Sequence, residues 1–149
     1  YKGGLDMVNK YDMLKLENQI CFPLYAASKE IVRHYKPFLD ELDLTYTQYI
    51  AMMVMWEHKE ITVKELGHYL YLDSGTLTPL LKTMEKKGWV ERNRSKQDER
   101  VLNIAITDTG EALKERAVHV PEQMAKCLKL EPDEAMQLYK TLNKILDNL

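Results

Sequence analysis

Residues 73–107 read DSGTLTPLLKTMEKKGWVERNRSKQDERVLNIAIT. Asp73 stands before a run in which Leu77, Leu80, Leu81 and Met84 recur at steps of three and four. An Asp cap and one apolar stripe predict a helix over residues 74–87, ended by Gly88. Ser74, Thr76, Thr78 and Lys82 fall off that stripe and face outward, and Pro79 interrupts the interior. Past Gly88 the period changes from helical to two. Val90 and Arg92, then Leu102, Ile104 and Ile106, predict two strands over 89–92 and 101–106, joined by a long polar tip over 93–99.

Working outward, Thr62 and Glu65 have capping-box spacing and open a short helix to about residue 70. Thr45 caps a helix over 46–58 whose centre, Ile50 to Trp56, is apolar nearly all round and so forms the buried spine. A first long helix is expected over 12–35, stopped by Pro37 and kinked by Pro23. Its stripe is Leu16, Ile20, Leu24, Ala27, Ile31, Tyr35 and Phe38. Downstream, Thr107 or Asp108 caps a helix to about residue 129 that Pro121 breaks or bends. Glu131 and Pro132 open the last one, through residue 146.

This order of elements predicts a mainly α fold with a small β-hairpin wing: a winged helix-turn-helix flanked by N- and C-terminal helices. The 149 residues, 45% hydrophobic and 30% charged, suit one domain with a core of its own. Within it, about 45–107 forms the winged-helix lobe, and about 12–38 and 108–149 form the flanking helices. The opening Tyr1-Lys2-Gly3-Gly4 reads as an expression remnant, with Met7 or Met13 as the expected native start. No apolar run is long enough to span a membrane, and no secretory signal is visible. Two cysteines, Cys21 and Cys127, are too few for a disulfide-stapled secreted domain, so a cytoplasmic location is expected. The four histidines are scattered and no zinc spacing occurs, so neither metal nor cofactor is expected.

The net charge of −2 argues weakly against a nucleic-acid partner, but the charge is uneven. Between Lys82 and Arg100 seven cations face four carboxylates, a local excess of three positive charges. A helix with small polar side chains can enter the major groove and meet base edges. A hairpin with arginine at its tip can reach phosphate or the adjacent minor groove. Winged helices also serve as protein-interaction modules, so the pattern alone leaves both readings open.

Asp98-Glu99-Arg100, followed by Val101 to Thr107, resembles the wing signature of MarR regulators. The segment from Asp73 to Lys82, Leu16 to Phe22, and Leu44 to Tyr49 resemble the branch of that family that senses organic hydroperoxides. Ordered blocks over about residues 14–107 carry the likeness. It implies a homodimeric repressor bound to a pseudo-palindromic operator in double-stranded DNA, with the first and last helices of both chains as interface. It places Ser74, Thr76, Thr78 and Lys82 near the major groove and Arg100 in the wing. Asp98, two residues earlier on the same strand face, would orient Arg100. Arg92, Arg94 and Lys96 would be phosphate or wing contacts.

The resemblance also implies that Cys21 is the redox-sensing thiol, its thiolate held by Tyr35 and Tyr46, with Tyr25 as a third phenol. Cys21 and Tyr25, four apart, share a helix side. Tyr35, fourteen residues on, points within about 40° of the same direction but lies about 21 Å along the axis. It reaches a Cys21 only across two antiparallel first helices of a dimer. Sulfenate at Cys21 condenses either with Cys127 as a resolving thiol or with a low-molecular-weight thiol. Two rivals remain at this stage. A small aromatic ligand releases other members of the family from DNA, with no role for Cys21. A thiol peroxidase needs a recycling partner, and neither Cys-x-x-Cys nor an active-site His supports it, so no enzyme activity is expected.

Overall fold

Burial demand, more than proline, decides where the first helix lies. The computed structural model of the chain describes residues 9–95, 97–98 and 100–149. Two 3-10 turns, Asp12–Leu14 and Leu16–Asn18, precede helix α1, Cys21–Asp40. The expected start near residue 12 and stop at Pro37 are therefore both corrected. Pro37 sits inside the helix, where it removes one backbone bond while its fixed φ stays helical. The turn continues because Leu39 is buried, and Leu42 and Leu44 beyond it are buried too. Pro23 is the third residue of α1, where no helical N–H is needed, so the expected kink has no cause.

Helix α2, Tyr46–His58, starts at the predicted cap. Thr45 accepts from the Gln48 N–H at 3.2 Å, and the Gln48 side chain accepts from the Thr45 N–H at 3.0 Å. Ala51, Met52 and Met55 are fully buried, so α2 is the spine its composition predicted, with Met53 turned outward. Strand β1, Glu60–Thr62, then leads into α3, Val63–Leu70, whose predicted capping box between Thr62 and Glu65 is present. Helix α4, Ser74–Lys86, is capped by Asp73, and its buried residues are Leu77, Leu81 and Met84. Gly88 closes it in the left-handed region at φ 77°. The Gly88 N–H donates to Glu85 and the Trp89 N–H to Met84.

The wing is β2, Val90–Arg94, antiparallel to β3, Leu102–Ile106. Its strand pair starts one residue later on each side than predicted, and β2 runs two residues further. The sheet order is β1-β3-β2, and Ile61 pairs with Ile104. The sequence reading missed β1, because three residues with a single buried Ile61 carry no alternation to count. Helices α5, Asp108–Ala117, and α6, Val120–Leu128, divide three residues before Pro121, which takes the second position of α6. Helix α7, Pro132–Leu146, has the predicted bounds.

One core joins the end of α1, α2, α3, α4, the sheet, α5 and α6. Two faces are left out of it. Leu14, Leu16, Ile20, Phe22, Leu24 and Tyr25 are exposed around the start of α1, and α7 has no buried residue although Met136, Leu138, Ile145 and Leu146 lie along it. An amphipathic helix gains little by standing in water on its own.

Candidate redox and DNA-binding sites

Asp73 fixes the start of α4 by accepting the Thr76 N–H at 2.9 Å and its hydroxyl at 3.3 Å. These bonds hold the Asp73 carboxyl below its usual range. Burial of Leu77, Leu81 and Met84 then turns the opposite face outward, and Ser74, Thr76, Thr78 and Lys82 are all exposed. The Thr78 hydroxyl donates to the Ser74 carbonyl at 2.8 Å and keeps its lone pairs free to accept. Gly67 lets α3 approach closely, since a Cβ there would lie 2.7 Å from the Leu72 carbonyl oxygen. The four side chains named from the sequence are therefore all open to solvent on α4.

The wing side chains divide. Arg92 donates through Nε and Nη2 to Glu85 Oε2, at 2.9 and 2.6 Å, and its N–H donates to Oε1 at 3.2 Å. Arg92 thus ties β2 to the last turn of α4, and the contact holds the Glu85 carboxyl below its usual range. The guanidinium therefore makes a contact within the wing lobe, one of the two roles, phosphate or wing contact, expected for it. Arg94 ends β2 and is exposed. Arg100 extends fully into solvent. Asp98 accepts the Arg100 N–H at 3.0 Å and lies 3.8 Å from its Nε. The pairing of Asp98 with Arg100 was foreseen, but it is made in the turn before β3 rather than along a strand face. Lys96 lies outside the described residues. Between α3, the start of α4 and the wing runs a cleft of about 510 Å³, with Leu72 and Leu77 in its lining and Ser74 and Arg100 at its edge.

The thiols are exposed. Cys21 is the first residue of α1 and Cys127 stands near the end of α6. The backbone N–H groups of a helix start attract negative charge. The tyrosines named with Cys21 part company. Tyr25 is exposed, under the Lys29 ammonium at 5.1 Å from the ring centre. Tyr35 and Tyr46 pack with ring centres 4.9 Å apart, where α1 crosses α2. Burial holds both phenols above their usual pKa, so they are O–H donors at neutral pH. Tyr49, which the sequence reading did not name, lies under Tyr35 at 5.8 Å, and burial pushes it up to about 12. The signal was available, since Tyr46 and Tyr49 are three apart and share a helix side.

Among the described residues no group of three His, Cys, Asp or Glu is placed to hold a metal, and no helix is long and apolar enough to cross a membrane.

The sequence pattern of the family described as transcriptional regulator SarA/Rot matches residues 33–117. The organic hydroperoxide resistance transcriptional regulator of Bacillus subtilis is 49% identical over 96% of this chain and 97% of its own. Among solved structures, AbfR of Staphylococcus epidermidis is 35% identical. Its reduced form bound to DNA covers 94% of this chain and 98% of its own, at a TM-score of 0.76. Its disulfide form covers 92% and 96%, at 0.63. With the wing, the polar face of α4 and these matches together, the chain belongs to the MarR-type winged-helix transcriptional regulators, in the branch of the organic hydroperoxide resistance regulators.

Proposed function

We propose that the chain is a homodimeric, cytoplasmic repressor that binds a pseudo-palindromic operator and leaves it when an organic hydroperoxide oxidises Cys21. The observation that carries this reading is the position of Cys21. The thiol is exposed at the start of a helix whose apolar face is uncovered, in a chain 49% identical to an organic hydroperoxide resistance regulator. The uncovered faces around α1 and along α7 supply the dimer interface. Crossing the first helices antiparallel brings Cys21 of one subunit toward Tyr35 and Tyr46 of the other, whose phenols donate to the thiolate. Exposed Tyr25, on the side of Cys21, borders the same site.

The thiolate attacks the outer oxygen of the hydroperoxide. The O–O bond breaks, the sulfur takes the outer OH and is oxidised by two electrons to sulfenic acid, and the alkoxide leaves and takes a proton from water. A second thiol, Cys127 of the partner subunit or a low-molecular-weight thiol, then displaces water and forms a disulfide. The tyrosine hydrogen bonds to the thiolate are lost, and the spacing of the two α4 helices changes.

On the DNA, Ser74, Thr76, Thr78 and Lys82 face the major groove. Arg94, Lys96 and Arg100 meet phosphate or the minor groove, Asp98 orients Arg100, and Arg92 positions the wing. The lobe spans about 45–107. The chain acts as a regulator rather than an enzyme, since each Cys21 is spent as a signal. Dimedone labelling after treatment with cumene hydroperoxide tests the chemistry. Labelling confined to Cys21 supports it, and operator release by a salicylate-like acid without any Cys21 chemistry would transfer the function to ligand sensing.

A further inference from the structure

We propose that the Trp56 indole is the positioning residue that couples the tyrosine site to the recognition helix, by clamping the first turn of α5 against the exit of α4. The inference rests on the redox reading above. Each step is a contact in the fold. Tyr49 packs under Tyr35 at 5.8 Å, and Trp56 meets Tyr49 edge-on at 6.4 Å. At its far side Trp56 Nε1 donates to the Gly110 carbonyl at 2.9 Å, a buried bond between residues 54 apart in sequence.

Gly110 is where α5 presses on the chain leaving α4. A Cβ there would lie 2.1 Å from the Trp89 carbonyl oxygen, so the helix and the Trp89 backbone are already in contact. Thr107 fastens the same joint. Its N–H donates to the Trp89 carbonyl and its hydroxyl to the Gly88 carbonyl. Gly88 and Trp89 in turn close α4 through their bonds to Glu85 and Met84. A ring displaced at Tyr35 therefore meets an unbroken run of packed groups ending at the recognition helix. Close-packed interiors move between discrete arrangements rather than deforming smoothly, so such a run can carry a two-state shift. Among the described residues, the indole N–H is the one hydrogen bond in this run that ties α2 to α5. The Lys59–Glu111 ion pair beside it, at 2.7 Å, is exposed and open to screening by salt.

Trp56→Phe keeps an aromatic ring beside Tyr49, and removes the bond together with the pyrrole part of the buried indole. Inside α5 the Gly110 carbonyl retains its helical partner four residues on, so no buried group is orphaned. Affinity for a duplex from the promoter of the protein's own gene is measured by anisotropy, before and after one equivalent of cumene hydroperoxide with one equivalent of a low-molecular-weight thiol. The native chain is expected to lose at least about tenfold in affinity on oxidation, within the usual range of coupling. Trp56→Phe is expected to bind within about threefold of the native chain when reduced, to form sulfenate at the native rate, and to lose under about threefold on oxidation. A purely structural role would lower the melting temperature and both affinities while leaving their ratio intact, and that result overturns the proposal. The Trp56 indole N–H resonance of the native chain gives a second readout that needs no variant. It should move on oxidation, and a stationary signal in a dimer that does release DNA likewise overturns the coupling. A native chain that binds but never releases DNA contradicts the redox reading instead.

Discussion

Among the described glycines, Gly110 is the one whose added Cβ would meet the closest neighbour. Its Cβ would overlap the Trp89 carbonyl oxygen, and the neighbour is backbone, which cannot swing aside. Gly110→Ala is expected to destabilise by about 3 kcal/mol, read as a lower urea midpoint. Tyr49 offers a residue-scale test by pH. Its folded pKa of about 12 stands above the ordinary 10, so its contribution is complete below pH 10 and is lost as pH rises toward 12. The melting temperature should fall over that window, and Tyr49→Phe should flatten the fall. At this scale the sequence was partly legible. Asp73, Thr45 and Thr62 are caps because a short polar side chain before an apolar run has little else to do. The Arg92–Glu85 pair was not legible, because nothing in the neighbours of Arg92 says that Glu85, seven residues back, folds beside it. Gly110 and Trp56 meet across 54 residues, beyond the reach of any local pattern.

Among the elements, α4 and the wing are assigned the electrostatics of DNA binding in the proposed reading. Lys82 and Arg100 are exposed, whereas Arg92 is held by Glu85. Removing an exposed cation that meets phosphate should lower the slope of log affinity against log salt by about one. Lys82→Ala and Arg100→Ala are each expected to do so in a salt titration. Arg92→Ala should instead lower the melting temperature and leave the slope nearly unchanged. Helices α2, α3, α4 and α7 were legible because cap, stripe and stop agree. Helix α1 was not, because prolines were read as breaks without regard to position. Pro23 falls where no backbone bond is due, and burial of Leu39 carries the helix past Pro37.

For the whole molecule, the open question for stability is what covers α1 and α7. Their exposed leucines, methionines and tyrosines leave apolar surface in water, and patches of that kind mark interfaces. Leu138→Glu is therefore expected to yield monomers by sedimentation, with loss of operator binding, since one lobe contacts one half-site. The sequence indicated these helices and their stripes. It left the partner to the family resemblance, because a stripe facing a second chain looks the same as one facing the core.

The most direct test is a gel shift on DNA upstream of the protein's own gene, with the native chain and Cys21→Ser, each with and without cumene hydroperoxide. The expected result is release of the native chain and retention of Cys21→Ser. Equal release of both, or release of neither, would contradict Cys21 as the sensor.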